Sequence, residues 1–244
     1  MGNLRFTKVS PHFPLTLFHS VMNKLFFSLL FFLALTRVQP LRAQGVCFKF
    51  GGGLASHYGK AKAVGAFKAG VGYEIELNQH WSFLPTFEVY GKGWKDPNQE
   101  VFVLDDSGKP LVNPETGEPV KGIMSRSASQ NYIQLPLLVS YYLRTGEARY
   151  LVFSAGPYVA YGIAGKQKTK GDTTRPGSEK MYYEKKTFKE PGTHRFDAGI
   201  QTSLGYQFSS GVLIGLEADF GLAKFNRSGD RNISGLVTLG YRLK

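Results

Sequence analysis

The sequence predicts an all-β protein: an eight-stranded antiparallel up-and-down transmembrane β-barrel with short periplasmic turns and long extracellular loops. Three observations predict it. The N-terminus carries an export leader, the remaining chain alternates apolar and polar residues with period two, and the connections between alternating segments are short and long by turns. The 29 Gly and the 14% aromatic share also suit many strands and turns.

The leader comes first. Met22-Asn23-Lys24 precedes an apolar run from Leu25 to Leu35, and a small-residue cleavage site follows at Ala43. This is the basic n-region, short h-region and cleavage site of a signal peptide. The run is too short for a helix to span a bilayer, which takes about 20 residues. Residues 1–43 are therefore read as an N-terminal extension plus cleaved signal peptide, and 44–244 as the barrel domain. Residues 1–21 precede a good start methionine, so they are an over-long gene start or an extended n-region. Cys47 does not follow the cleavage site directly, so it does not fit a lipid anchor.

The charge balance shifts with the leader. The whole chain carries +12, which at first suggests a nucleic-acid binder. Arg5, Lys8, Lys24, Arg37 and Arg42 leave with the leader, and no acid leaves with them, so residues 44–244 keep 25 basic and 18 acidic residues, or +7. An exported protein meets no cytoplasmic nucleic acid. One Cys excludes a disulfide scaffold and a multi-Cys zinc site. No motif calls for a cofactor or a metal.

The strands follow in order. Val46, Phe48 and Phe50 begin the first. In the second, Phe67, Ala69, Val71, Tyr73, Ile75 and Leu77 alternate with Lys68, Gly70, Gly72, Glu74 and Glu76. A helix cannot produce this, because residues i and i+2 lie on different helix faces. The third alternates from Trp81 to Val89, with Leu84 out of phase, and the fourth from Ile133 to Leu143, with Leu138 out of phase. The fifth runs from Leu151 to Ile163, the sixth from Phe196 to Phe208, the seventh from Val212 to Leu222 and the eighth from Ile233 to Leu243. Many of these exceed the five or six residues usual in soluble proteins and match the 9–11 of a tilted membrane strand. A soluble sandwich shares the alternation; strand length, leader and loop asymmetry favour the barrel, with apolar residues on lipid and polar ones in the lumen.

The connections 78–80, 144–148 and 209–211 are short, whereas 95–129 and 166–193 are long. Outer-membrane barrels pair short periplasmic turns with longer outside loops, which places the chain in a bacterial outer membrane. Trp81, Tyr141, Tyr206, Phe208 and Tyr241 fall near the short-turn end; Trp94, Tyr132, Tyr161, Phe196 and Phe220 fall near the other. Each set is expected to form an interfacial girdle.

Several blocks carry a family resemblance. Phe83-Leu84-Pro85-Thr86-Phe87, Gly91-Lys92-Gly93, Tyr132-Ile133-Gln134-Leu135-Pro136-Leu137-Leu138, Gly156-Pro157-Tyr158, Phe196-Asp197-Ala198-Gly199 and Leu239-Gly240-Tyr241-Arg242-Leu243 resemble the PorT-type outer-membrane barrel domain common in Bacteroidetes. The resemblance covers Gly45 to Leu243, and the Tyr132–Leu138 and Gly156–Tyr158 blocks are its specific part. It implies an eight-stranded, porin-like barrel with no defined activity. The name-giving member is linked to type IX secretion, and no motif here selects that role. The chain ends on Lys244 rather than the terminal aromatic of other barrel families.

Two groups of residues are candidate functional sites. The first is a lumen charge network: Lys49, Lys68, Glu74, Glu88, Glu217, Asp219 and Arg242, with Lys92, Glu76 and Asp197 also on the lumen face. Eight strands enclose only enough room for side chains, so these charges either plug the lumen as ion pairs or line a narrow polar path. Hairpin register suggests Lys49 with Glu74 as one pair. The second is a basic outside segment: Lys166, Lys168, Lys170, Arg175, Lys180, Lys185, Lys186 and Lys189, with Arg195 beyond. Against four acids it holds +5, and Tyr182-Tyr183 lies within it. Local positive potential concentrates anions, so lipopolysaccharide phosphates or an acidic envelope or secretion partner are its expected ligands; a solvated loop is the alternative.

The remaining features are weaker. Asp105-Asp106-Ser107-Gly108-Lys109 and Asn113-Pro114-Glu115-Thr116-Gly117 are turn signals, read as turns of a ribbon above the membrane. Asn226 and Asn232 sit in chance-level glycosylation sequons. His57 and His194 fall at the outer rim with Ser56 and Asp197 nearby in sequence, so a Ser-His-Asp set is conceivable, but triads are recognised by geometry, not by sequence proximity. The expected protein is non-enzymatic, with its role in the surface loops.

Overall fold

The computed structural model describes residues 45–59, 62–105, 107–171 and 181–243. The leader, Arg175 and Lys180 lie outside the described residues. The strands are β1 (Gly45–His57), β2 (Val64–Glu76), β3 (Trp81–Lys95), β4 (Gln99–Phe102), β5 (Lys121–Gly146), β6 (Arg149–Ala164), β7 (Lys166–Gly171), β8 (Met181–Lys186), β9 (Phe196–Gln207), β10 (Val212–Gly221) and β11 (Asn232–Arg242).

Eight of them close a barrel. β1 pairs with β2, β2 with β3, β3 with β5, β5 with β6, β6 with β9, β9 with β10 and β10 with β11, all antiparallel. β11 then pairs with β1, from Cys47 opposite Arg242 to His57 opposite Asn232. No strand of the barrel keeps an open edge, as lipid requires.

Alternation sets the two faces. Along β5, Leu135, Leu137 and Val139 are exposed on the outer wall, and Tyr132, Gln134 and Leu138 are buried inside. The out-of-phase leucines have a place of their own. Leu84 and Leu138 sit opposite each other in the β3–β5 ladder and share the inward parity, so they form an apolar step in a lumen that also holds inward Val152 and Leu236 among its polar groups.

β4, β7 and β8 extend the wall beyond the barrel. β5 continues outward and pairs with β4 on one edge and β7 on the other, and β7 pairs with β8. In the segment 166–193, expected as a loop, the described residues form the antiparallel pair β7 and β8, followed by a 3-10 turn at Thr187–Lys189. Alternation there is hidden, because its residues are charged on both faces. In the other long connection, Asp105 accepts from the Ser107 and Lys109 amides, and Asn113 from that of Glu115. Both turn signals act as turns.

The girdles need one correction. Trp81, Tyr161, Phe196, Phe208, Phe220 and Tyr241 are exposed on the outer wall, but Trp94 and Tyr132 are buried. Both occupy inward positions, opposite Ala128 and Tyr90 respectively. Position near a strand end did not decide their side; parity did.

Close strand approach gives a stability test. A Cβ on Gly156 would overlap the Leu137 carbonyl oxygen, whereas one on Gly235 meets nothing within 4 Å. Gly156→Val is expected to separate β5 from β6 and abolish the heat-modifiable folded band on electrophoresis, while Gly235→Val keeps it.

Candidate functional site

The lumen is packed in layers of charge and hydroxyl groups. At the short-turn end, Glu74 accepts from Arg242 at 2.9 Å and from Ser82 at 2.7 Å, and the Tyr142 hydroxyl donates to it as well. Arg242 also reaches Glu76 at 3.6 Å. Lys49 does not pair with Glu74. Register sets Lys49 opposite Gly70 and Glu74 opposite Gly45, so Lys49 lies further along the axis.

The middle layer is centred on Lys68, whose ammonium lies within ion-pair distance of Glu217, of Asp219 at 3.0 Å and of Glu88 at 3.3 Å. Lys49 bridges Glu88 at 2.5 Å and Glu217 at 2.8 Å. Gln134 donates to Asp219 and to Gln201, each at 3.3 Å. Lys68 and these three carboxylate groups are buried. Such groups tolerate burial only when paired and hydrogen-bonded.

The upper layer is an aromatic cage around Lys92. Its ammonium is 2.7 Å from Asp197 and within about 5.5 Å of the Tyr90, Tyr132 and Tyr158 ring centres. A cation over ring faces is electrostatically favoured. Asp197 also accepts from Asn232 at 2.9 Å, so that sequon asparagine is buried in the lumen.

Above the cage sits an outer cup. His57 is buried, contacts Gln130 through its ring nitrogen at 3.3 Å, and lies 5.4 Å from the Trp94 ring and 5.1 Å from that of Phe225. The Ser56 hydroxyl donates to the His57 carbonyl oxygen, and Asp197 belongs to Lys92 and Asn232. The three residues do not form a relay. A cavity of about 420 Å³ opens here between the barrel rim, β7 and the connections 190–193 and 225–230. A second, of about 620 Å³, lies at the short-turn end beside Arg144, Tyr150 and Arg242. Asp96, on the outer rim, has its carboxyl pushed up by burial and by Asp230, against the pull of Arg126.

The basic segment is sorted by strand parity. On β5, odd residues continue the outer wall. Lys168 and Lys170 pair with Ser127 and Ser125, so both face outward. Glu184 stands opposite Lys168, and Lys186 opposite Lys166. Lys166 pairs with Glu184 at 2.7 Å, and Lys168 with the same carboxylate at 3.7 Å. Lys185 lies on the inner face with Tyr183, pairs with Glu190 at 3.1 Å, and is held above its usual lysine range by hydrogen bonds to both. Lys189 closes the 3-10 turn. Arg195 donates to the Gly162 carbonyl and lies over Phe188.

The chain matches the family model for the outer membrane protein beta-barrel domain over residues 54–226. It belongs to that family. This outer-membrane barrel has no match among curated proteins. Among solved structures it is similar to Ail, the attachment invasion locus protein of Yersinia pestis, in complex with the heparin analogue sucrose octasulfate, at 12% identity over 82% of this chain and 97% of that one, with a TM-score of 0.36. An outer-membrane channel from Pseudomonas putida F1 gives 8% identity, 84% and 97% coverage, and a TM-score of 0.26.

Alternation assembled the lumen charges and also set Tyr90 and Gln201 on the polar face, though neither was named as a site residue; Tyr158 and Gln130 were missed. Both have inward parity, and that signal could have found them. Removing Lys68 leaves three acidic side chains converging without their shared cation. Lys68→Met is expected to cost about 3–5 kcal/mol, read as a lowered urea midpoint in detergent micelles, and Glu217→Gln in the same chain is expected to restore part of it.

Proposed function

We propose that this barrel is a sealed, non-enzymatic, PorT-type envelope protein that acts at its outer surface, where its basic β-ribbon holds lipopolysaccharide phosphates. The carrying observation is the filled lumen: Lys68 and its three acidic partners, with the Lys92 cage above, occupy the narrow interior. An interior so occupied leaves interaction to the rim and the extension.

The placement of the lysines supports the choice of ligand. Lys166, Lys168, Lys170 and Lys186 share the face continuous with the lipid-contacting wall, just beyond its outer end. That is the level of the headgroup phosphates. Glu184 offsets one charge, and Ser125 and Ser127 flank the row with hydroxyl donors. Inward-facing Lys185, with its Tyr183 and Glu190 partners, stands apart from this row. The PorT-type reading is supported by the Tyr132–Leu138 block, whose alternate residues supply the lumen (Tyr132, Gln134) and the lipid wall (Leu135, Leu137).

Planar-bilayer recordings of the refolded protein are expected to show no conductance steps; steps would favour the narrow channel. Replacing Lys166, Lys168, Lys170 and Lys186 by Gln is expected to reduce lipopolysaccharide recovered with the barrel from native membranes, and added salt is expected to weaken binding by the parent protein. Unchanged recovery would remove the phosphate reading, and secretion components in its place would favour an accessory role in type IX secretion.

A further inference from the structure

The outer cup is a dead end. Its floor is the His57, Trp94 and Phe225 rings, and below them lie Gln130 and the Lys92 cage. A cavity of about 420 Å³ falls in the range of small-molecule sites, which recur at the mouths of β-barrels.

The wall chemistry narrows the ligand. Asp96, Glu190 and Asp230 line the cavity together with Arg126 and Arg227, and Glu190 is matched by Lys185 at 3.1 Å. Three carboxylates against three cations leave no net charge to select an anion or a cation. No group of His, Cys, Asp and Glu among the described residues could hold a metal ion. The wall is too polar for an apolar guest.

Many of the wall groups are held in place. Asn226 donates to Asp230 at 2.6 Å and accepts from its amide. The Arg126 guanidinium lies over the Trp94 ring and, with the Gln167 carboxamide turned so that its oxygen accepts, bonds Gln167. An apolar ring floor under a neutral wall rich in acceptors and donors matches a molecule with C–H faces and a ring of hydroxyls.

We propose that this cup binds a neutral saccharide, resting over the small exposed edges of the His57, Trp94 and Phe225 floor and hydrogen-bonded by Asp96, Arg126 and Asp230. The sugar is either free in solution or part of an envelope glycan. The site is separate from the outward lysine face, so the two readings stand or fall apart.

Fluorescence tests it. The chain has two tryptophans, and Trp81 is on the outer wall at the opposite end, so Trp81→Phe leaves Trp94 as the reporter. The full barrel, refolded in detergent without lipopolysaccharide, is titrated with N-acetylglucosamine, galactose and maltose, with a deacylated lipopolysaccharide core oligosaccharide, and with glucuronate and glucosamine as charged controls. A saturable shift in Trp94 emission is expected with a neutral sugar, and about tenfold weaker in Asp230→Asn. A response to the simple sugars assigns a soluble ligand; a response to the core oligosaccharide alone assigns the envelope glycan. Replacing the four outward lysines by Gln leaves the shift intact. Absence of a shift with every neutral probe, tighter binding of a charged control, or an unaltered shift in Asp230→Asn would overturn the proposal. Heat-modifiable migration verifies the fold of each variant, and Asp96→Asn serves if Asp230→Asn does not fold.

Discussion

Lipid offers a peptide group no hydrogen-bond partner, so every N–H and C=O at that depth must find one within the sheet. Here the last link is the β1–β11 ladder, which joins the chain's first and last strands over eleven residue pairs. Closure at eight strands sets a narrow circumference, and a narrow circumference leaves an interior that side chains must fill. The polar face of every strand is thereby committed to a shared, confined space. The ionic lumen is a consequence of closure.

That confinement makes pairing obligatory. Lys68 contributes one ammonium group to three acidic side chains drawn from two different parts of the barrel, β3 and β10. Lys92 is treated differently. It has one carboxylate and three tyrosine rings, so much of its charge is met by ring faces rather than by a second acid. The Leu84–Leu138 step interrupts the polar interior where the turn-end and middle layers meet. With the lumen committed to packing, chemistry directed outward has two places to act. One is the basic face of the extension; the other is the cup above the Lys92 cage.

Strand periodicity made the barrel legible because one physical rule, lipid outside and polar inside, acts on every second residue. The same rule assigned Lys68, Glu88, Glu217 and Asp219 to the lumen before any pairing was known. It was not applied to Trp94 and Tyr132, where nearness to a strand end suggested a girdle and inward parity put them inside. In 166–193 the rule has little to act on, since both faces of the β7–β8 pair are polar and neither meets lipid. A ribbon in water leaves no hydrophobic signature, so it looked like a loop.

By itself the sequence determined which residues face lipid, which face the lumen, and where the wall turns, because those depend on local alternation and on turn chemistry. Partner choice among the lumen charges was decided only by tertiary structure. Lys49 was expected beside Glu74 and is instead shared by Glu88 and Glu217, because the stagger of adjacent strands sets Lys49 opposite Gly70 and carries it to another level of the barrel. The outer cup is likewise a product of the closed fold. Its floor joins His57, Trp94 and Phe225 from distant parts of the chain, and only the curvature of a closed sheet brings them together.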